Sequence, residues 1–459
     1  FEKQTNSGIN ILAESNTSIL IDNCSFFGQY NHGVNVKGIG VEIKNSSFNK
    51  INGIAVYVNG KAANAEIHHN NFTNIGEFRN YGIGTEINLT AIKCAFVKNC
   101  HVHHNTIDGT GYCGIAVDGD GHLVERNIIK NVMKLNNDGA AIKSYGEVST
   151  NITIQNNFIS TSDGNTEGTY KANFITPAIY FDFNVNNCIV KNNTIYNRTQ
   201  KGIFMNSGTN NNTITGNVIY GFNYGIDLNG SPLQPTSMTG MTVTDNHLFA
   251  KSTDSYFVRL LDNTNGYNQG TINNNIYYQP YNSTRFGFIP PSSELSFSSW
   301  QQTTGFDIDS KTAFMTWPTN ETPEVLYLNP TDETVVIELD NYKYYDLSQN
   351  EICGSFELLP YASKIVIKSS NECTTLSSGL ALTQDTSNKT ILFPNPVKDN
   401  FTIKTPFLNE SKIFIYNSFG QLVQEESIAN GLGSYSANHL PAGMYYLTIQ
   451  NETIKFLKE

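Results

Sequence analysis

Residues 114–129 read GIAVDGDGHLVERNII, and this stretch contains the unit from which the first part of the chain is built. A glycine and an isoleucine open a short segment of alternating apolar and polar residues, and a second short segment surrounds an asparagine. Similar units recur as AIYFD (178–182) with VKNNTI (190–195), and as GIFMN (202–206) with ITGNVI (214–219). Recurrence of so short a unit indicates a stack of repeats.

The asparagine of the second segment marks the repeat along the chain. It falls at Asn70, Asn105, Asn127, Asn157, Asn193, Asn217, Asn246 and Asn275, and two earlier units place Cys24 and Ser46 there. Strands of about three to five residues cannot bury a face alone, so each must stack on the next copy. The pattern resembles the right-handed parallel β-helix repeat family over residues 1–280. The resemblance implies an all-β, single-stranded right-handed parallel β-helix in which the asparagines form a ladder.

Composition excludes several classes of function. The chain has 459 residues and a net charge of −11 without a basic block, so a nucleic-acid-binding surface is not expected. No run of 18 apolar residues suggests a membrane span. The first residues already read as repeat, and we expect a signal peptide and further N-terminal coils to precede them.

The seven cysteines do not form a zinc motif, because no CxxC pair occurs. Cys353 and Cys373 flank one short segment and could be bridged in an oxidising compartment. The cysteines of the repeat stand next to aliphatic residues, which favours packing as small hydrophobic side chains.

Composition changes after the repeat. Residues 281–372 comprise a connector and alternating segments such as TVVIELD (334–340), which predict a small antiparallel β-sandwich. The Ser/Thr-rich residues 373–390 are predicted to be a linker. Residues 391–459 contain ILFPNPVKDNFTIK, IFIYNSFGQLV, LPAGMYYLTI and IKFLKE, and these blocks closely resemble the C-terminal sorting domain of the type IX secretion system. The resemblance implies a small β-sandwich, a Bacteroidota-like source, and a secreted or surface-attached protein.

Two intervals in the repeat are long, at about 76–90 and 160–176, and both precede the (G/A)-I-x-Φ-x strand, where Φ is apolar. Loops of this kind on one edge of a solenoid can wall a groove. They contain four aromatic residues that either contact sugar rings or pack the loops onto the helix: Phe78, Tyr81, Tyr170 and Phe174.

The groove strands carry charge on three successive rungs, at Asp118, Lys143 and Asp182. Assigning all three to the same outward position places the two carboxylates about 9.6 Å apart with Lys143 between them. Inverting glycosidases separate their carboxylates by roughly 6.5–9.5 Å, so one aspartate could be the general acid and the other the general base. Lys143 would then favour ionisation of the nearer carboxylate. An exposed ladder of charges is the alternative interpretation. Further residues predicted to contact substrate are Tyr145, Tyr170, Tyr180, Asp227 and Arg259.

The same rungs also suit lyase chemistry. Pectate-lyase-like β-helices abstract a proton with Lys or Arg, often with calcium, and resemblance to them would make Lys143 the base. Asp118, Asp120 and Asp182 would then be candidate calcium ligands. Asp120, however, lies in DGDG, which is also a good turn sequence, and no clearly matching arginine occurs on the neighbouring rungs.

Four histidines precede the ladder asparagine on successive coils: His68, His69, His103 and His104. His69 and His104 are expected to stack about 4.8 Å apart, a spacing that fits either a metal site or the lining of a turn.

Three functions therefore remain open from the sequence. The first is an extracellular glycoside hydrolase that needs no cofactor. The second is a polysaccharide lyase that uses calcium, and the third is a non-catalytic surface protein that binds glycans. Long loops over charged rungs favour an enzyme. The expected partners are an extracellular polysaccharide and, through residues 391–459, the type IX secretion machinery.

Overall fold

The computed structural model describes residues 1–12, 18–78, 86–162, 164–165, 175–197, 199–230, 238–262, 269–280, 285–289, 293–313, 324–373, 390–405, 411–417, 421–428, 431–450 and 452–458. They fall into two compact units, residues 1–374 and 375–459.

The first unit is a solenoid of three parallel sheets, each strand of which pairs with its equivalent one coil away. Sheet 1 contains Ile9–Ile11, Val34–Val36, Val56–Val58, Ile92–Lys98, Ile115–Asp120, Ile142–Tyr145, Pro177–Asp182, Thr199–Asn206, Phe222–Gly230, Tyr256–Asp262, Arg285–Ile289 and the antiparallel Ser293–Leu295. Sheet 2 contains Ile19–Asp22, Val41–Lys44, Glu66–His68, His101–His103, Leu123–Glu125, Thr153–Gln155, Ile189–Lys191, Thr213–Thr215, Met241–Thr244 and Gly270–Asn273. Sheet 3 contains Ser25–Phe27, Ser47–Asn49, Asn71–Ile75, Thr106–Thr110, Ile128–Val132, Phe158–Ser162, Thr194–Tyr196, Val218–Tyr220, His247–Phe249, Ile276–Tyr278 and Lys311–Thr312. The predicted parallel β-helix is confirmed.

The core of the solenoid consists of side chains that alternate inward along each strand and stack on their equivalents in the next coil. In sheet 3, for example, the rings of Phe26, Phe48 and Phe72 are fully buried and stack with centroids 4.7 and 4.8 Å apart. Because each coil buries its apolar face only against its neighbours, the repeats stabilise one another.

The predicted asparagine ladder forms the turn between sheets 2 and 3. Asn127 is fully buried, and its Oδ1 accepts from the backbone N–H of Asn105 at 3.1 Å and from the Asn105 amide at 3.0 Å. Its Nδ2 donates to the carbonyl oxygens of Val102 and Glu125 and to Oδ1 of Asn157. Each amide thus satisfies backbone groups of two coils. Ser46 takes the equivalent place earlier in the chain, where its Oγ accepts from the Cys24 N–H.

Two strands beyond residue 280, Arg285–Ile289 and Lys311–Thr312, still pair in parallel with the solenoid. Between them the helix Phe297–Thr304 starts at the N-cap Ser296 and ends at Gly305 in the left-handed conformation. The helix buries Trp300, whose indole N–H donates to the buried Asp307 at 2.8 Å. This segment covers the last coil.

The following antiparallel segment packs along the side of the solenoid. Its strands are Glu324–Leu328, Tyr342–Asp346, Glu351–Ile352 and Ser363–Glu372 in one sheet, with Val335–Glu338 and Ser355–Leu358 in another. Ile365 and Ile367 share a hydrophobic cluster with Phe249 and Tyr278 of sheet 3. The segment therefore covers sheet 3, not the open end.

The cysteines behave as the sequence suggested. Cys353 and Cys373 form a disulfide bond. Cys94, Cys100, Cys113 and Cys188 are free and buried, and Cys24 is free and half-buried.

In the second unit, the described residues between 390 and 458 form a small antiparallel β-sandwich. One sheet contains Ile391–Phe393, Asn400–Lys404 and Leu432–Ser436, and the other contains Ser411–Asn417, Leu422–Ile428, Gly443–Ile449 and Glu452–Lys458. Residues such as Phe401, Ile415 and Leu447 fill its core. Within the described residues of the whole chain, no helix is long and apolar enough to cross a membrane.

We expect Asn127→Ala to lower the thermal midpoint of the solenoid by several degrees. The substitution strands buried donors and acceptors of Asn105, Val102 and Glu125, at a cost of about 1–3 kcal/mol for each group. Thermal unfolding followed by far-ultraviolet circular dichroism measures the change. The control is Asn71→Ala, since Asn71 is an exposed residue of the sheet 3 strand Asn71–Ile75, next to the ladder residue Asn70. Equal midpoints for the two variants would contradict a stabilising ladder.

Candidate active site

The three charged rungs are adjacent, as expected, but the predicted register of Lys143 is wrong. Ile142 pairs with Ile115 and Ile179, so Lys143 pairs with Ala116 and Tyr180. The residue between the two aspartates is Tyr145, which pairs with Asp182 and donates its backbone N–H to Asp118 Oδ1 at 2.8 Å. The error arises because the inward residue of this strand is the fully buried Ser144, where the repeat leads one to expect an apolar side chain.

Lys143 nevertheless reaches Asp182 diagonally. Its Nζ lies 2.9 Å from Asp182 Oδ2 and donates to the carbonyl oxygen of Asp138 at 3.1 Å. The ammonium also stands 4.5 Å from the centre of the Tyr180 ring. Asp182 Oδ1 accepts a further hydrogen bond from the Asn206 amide at 2.9 Å. Asp182 is thus held as a solvated ion would be, by a cation and an amide donor.

The two carboxylates have pKa values that move in opposite directions. Burial raises the pKa of Asp118 from 3.8 to about 6, and the hydrogen bond from Tyr145 only partly opposes the shift. Burial also acts to raise the pKa of Asp182, but Lys143 and Asn206 outweigh it, and the pKa is lowered. Between these two pKa values Asp118 is a neutral acid while Asp182 is an anion, the arrangement that an acid–base pair requires.

Both carboxylates open into one cavity of about 1130 Å³ on the outer face of sheet 1. Tyr57, Lys93 and Tyr112 line it together with Asp118, Lys143 and Asp182. Clefts of this size that combine an apolar wall with a few charged groups are typical ligand sites.

A second hollow, of about 590 Å³, shares Tyr145 and Phe96 with the first and adds Phe183. Tyr145 and Phe96 are 47% and 60% exposed, and the rings of Tyr145 and Phe183 stack at 6.4 Å. The strand Ile92–Lys98 changes register around Phe96, which has a φ of 55°. A bulge with a bulky residue at positive φ is strained, and here it turns an aromatic ring outward beside the carboxylates. The sequence pattern did not identify Phe96 or Phe183, because both lie where the repeat is locally broken.

The other predicted substrate contacts are placed differently. Tyr180 is 2% exposed and stacks on Phe204 at 4.8 Å. Asp227 is fully buried and accepts from Arg259 Nε at 2.9 Å, while Lys201 Nζ lies 2.7 Å from its other oxygen. These contacts occupy Asp227 within the protein, whereas the Arg259 side chain keeps 21% of its surface exposed.

The remaining predicted residues concern the edge of the groove. Asp120 accepts from the Asn151 amide at 2.9 Å and lies 3.8 Å from Lys98. In the part of the chain that is described, the groups of three or more potential metal ligands do not include Asp120, and calcium stays a prediction. Tyr81, Tyr170 and Phe174 lie outside the described residues. Phe78 is described and is 52% exposed.

Family models match two regions of the chain. Residues 87–276 match the model of the right-handed β-helix region. Residues 391–459 match the secretion system C-terminal sorting domain. Residues 87–276 therefore belong to a right-handed β-helix region, and residues 391–459 to a C-terminal sorting domain. The resemblance stated for residues 391–459 is therefore confirmed.

Similar solved structures are distant tailspikes of bacteriophages. The tailspike of Escherichia coli bacteriophage HK620, in complex with a pentasaccharide, is similar over 79% of this chain and 80% of its own, with 11% identity and a TM-score of 0.40. The enzymatically active domain of bacteriophage CBA120 tailspike protein 2 is similar over 99% of this chain and 71% of its own, with 9% identity and a TM-score of 0.33. The Dettilon tailspike is similar over 99% of this chain and 85% of its own, with 13% identity and a TM-score of 0.28. No curated protein sequence matches the chain significantly.

We expect Asp118→Asn to raise the thermal midpoint of the solenoid at pH 8 but not at pH 4. A carboxyl whose pKa rises from 3.8 to about 6 on folding loses stability as the pH rises through that window, because the folded state resists ionisation. Asparagine keeps the acceptor for Tyr145 and removes this cost, which is up to about 3 kcal/mol above pH 6. Thermal unfolding at both pH values measures the difference.

The control for this comparison is Asp108→Asn, since Asp108 is a surface residue paired with Lys130 at 3.2 Å. Its pKa is lowered on folding, where burial is opposed by Asn131 and Lys130, so its removal has no stabilising effect at pH 8. A midpoint that falls equally at pH 4 and pH 8 in Asp118→Asn would show that the neutral acid is not favoured by folding.

Proposed function

We propose that the chain is a secreted glycoside hydrolase whose active site is the cavity on sheet 1. The observation that carries the proposal is the pair of carboxylates in one cavity with pKa values moved apart, Asp118 upward and Asp182 downward. Their strands are two rungs apart, about 9.6 Å, close to the separation of roughly 6.5–9.5 Å in inverting glycosidases. Sorting by residues 391–459 agrees with a substrate outside the cell, and we infer export by the type IX machinery.

In the proposed reaction Asp118 is the general acid. Its proton passes to the glycosidic oxygen as the bond from that oxygen to the anomeric carbon breaks. Asp182 takes a proton from water, whose oxygen bonds to the anomeric carbon on the opposite face. The products are two sugar chains, with Asp118 ionised and Asp182 protonated until solvent exchanges the protons. One turnover consumes one water and inverts the anomeric centre.

Lys143 supports this assignment and argues against its role as a base in lyase chemistry. A base must be neutral, yet the ammonium of Lys143 contacts the Asp182 carboxylate and the Asp138 carbonyl. Although burial alone lowers the pKa of Lys143, the neighbouring Tyr112 and Asp182 raise it above its ordinary value. Lys143 is therefore a positioning residue that holds Asp182 ionised.

The aromatic residues beside the cavity suit a carbohydrate chain. The faces of Tyr145, Phe96 and Phe183 line one hollow, which continues from the carboxylates along the groove. Sugar rings present apolar faces that pack against aromatic rings, and the aromatic side chains lose little conformational entropy on binding. We propose that these three residues form the adjoining sugar subsite.

We expect Asp118→Asn and Asp182→Asn each to lower kcat by about 100-fold or more, because each removes one proton transfer. The assay is reducing-end release from a panel of plant and algal polysaccharides. Activity of the unaltered chain should fall as the pH rises through about 6, where Asp118 ionises. It should persist at pH 4 and fall only at lower pH, where Asp182 is protonated, because the pKa of Asp182 is lowered from 3.8. Asp108→Asn is the control and should keep its activity.

The product distinguishes the competing functions. Inversion at the anomeric carbon, followed by nuclear magnetic resonance early in the reaction, is expected. Ultraviolet-absorbing products that disappear with a calcium chelator would replace the proposal with a lyase. Binding without cleavage across the panel would replace it with a glycan-binding surface protein.

We expect Tyr145→Ala to weaken substrate binding by about tenfold and to change kcat less. The ring lies between the two catalytic rungs and is exposed, whereas its backbone N–H, which contacts Asp118, remains in the variant. Removing an aromatic contact of this kind costs about 1–2 kcal/mol. Isothermal titration with the active glycan measures it, and Tyr145→Phe should bind normally. Unchanged affinity in Tyr145→Ala would remove this residue from the subsite.

A further inference from the structure

The turn between sheets 2 and 3 carries a two-by-two array of imidazoles on its outer surface. His68 and His69 belong to one coil and His103 and His104 to the next. The rings of His68 and His103 stack at 4.7 Å, and those of His69 and His104 stack at 4.8 Å, the predicted spacing. Within each coil the two Nδ1 atoms face one another, at 2.8 Å for the first pair and 2.6 Å for the second.

Carboxylates fix the tautomers of three of the four histidines. Glu42 lies 3.1 Å from His68 Nε2, Glu66 lies 3.1 Å from His103 Nε2, and Asp332 lies 2.9 Å from His104 Nε2. A carboxylate only accepts, so each of these Nε2 atoms carries the proton. In a neutral imidazole the lone pair is then on Nδ1.

The pair formed by His103 and His104 therefore brings two nitrogen lone pairs together at 2.6 Å. Such an arrangement is repulsive unless a cation lies between them. The surroundings favour a cation: the carboxylates of Glu42, Glu66 and Asp332 contact the array, whereas Lys44 and Arg126 are the cations on the flanking coils.

We propose that these four histidines bind a divalent transition metal of the Zn²⁺, Cu²⁺ and Ni²⁺ group through their Nδ1 atoms. Imidazole donors suit these ions, and a carboxylate on the other ring nitrogen is the usual outer-shell partner of a metal-binding histidine. Zn–N bonds of about 2.0–2.1 Å separate neighbouring nitrogens by roughly 3.3 Å. Small rotations of the rings must therefore widen the Nδ1 pairs within each coil and bring the stacked rings of the two coils closer together beside the ion. The ligand nitrogens of His68, His69 and His103 already lie within 4.8 Å of one another.

The site would also connect two parts of the first unit. Asp332 belongs to the antiparallel segment, 228 residues from His104 in sequence. The ring of His104 also meets the Tyr361 ring edge-on at 5.5 Å. A metal bound to His104 would thus stabilise the contact between the solenoid and this segment. It lies away from sheet 1, so the proposal is independent of the proposed hydrolase.

The test is metal binding by the full chain without an added histidine tag. Isothermal titration with ZnCl₂, CuCl₂ and NiCl₂ should show one tight site, and CaCl₂ should show none, because calcium prefers oxygen ligands. Excess ZnCl₂ should raise the thermal midpoint, since a ligand of the folded state stabilises it. The variant His69→Asn/His104→Asn should lose both effects, with affinity reduced by about 100-fold or more.

These substitutions suit the turn, because both histidines have φ near 53° and Asn156 and Asn192 hold the equivalent left-handed position in other coils. Asp332→Asn should weaken binding by about tenfold through the outer shell. His439→Asn, an exposed histidine of the sorting domain, is the control and should bind normally.

Failure of the unaltered chain to bind any of the three metals would overturn the proposal and leave a shared proton between the rings. Unchanged binding in the double variant would also overturn it. In that case loss of binding in His101→Asn would place the ion at the neighbouring set of Glu66, His101 and His103.

Discussion

The column of buried asparagine amides fixes the register of this solenoid, and the placement of its surface residues depends on that register. A parallel rung can slip by two residues and still bury the same face, so hydrophobic alternation alone does not define the stacking. The amide of Asn127 removes this freedom, because its five hydrogen bonds join groups of three successive coils. A slipped coil would leave those groups buried and unpaired, at a cost no surface contact could offset.

A fixed register allows the outer face of sheet 1 to combine two opposed electrostatic environments within about two rungs. Asp118 is buried and accepts from one backbone donor, whereas Asp182 contacts a lysine and an amide. Neither environment needs a mobile element, since both belong to strands whose spacing is set by hydrogen bonds. Because folding raises the pKa of Asp118 to about 6, ionising this buried carboxyl costs the protein stability at neutral pH. Its retention is easier to understand if the acid form has a chemical use.

The fold could be predicted in detail, because the repeat is a local signal present many times, and the spacing of Asn70 to Asn275 identifies each coil independently. The site could be predicted only in part. The sequence places Asp118, Lys143 and Asp182 on adjacent rungs, as the structure has them. Because the buried Ser144 interrupts the apolar pattern, however, the sequence aligns Lys143 with the two aspartates, whereas in the structure it pairs with Ala116. Phe96 lies at a bulge, where the alternation rule fails by definition. The contact of Asp332 with His104 joins residues 228 positions apart, and no periodicity within the repeat contains that information.

The same regularity explains how one solenoid could carry both of the proposed sites. Each coil contributes residues to three faces, and substitutions on one face leave the core and the ladder of the others unchanged. His104 replaces an asparagine-type residue at a left-handed turn position, where a polar side chain can be exchanged without altering the backbone. Asp118 belongs to the next coil and lies on sheet 1, away from the turn that carries His104. Because the two sites are connected only through a rigid stack of rungs, changes at one should leave the other's affinity unaltered, and their energetic effects should add.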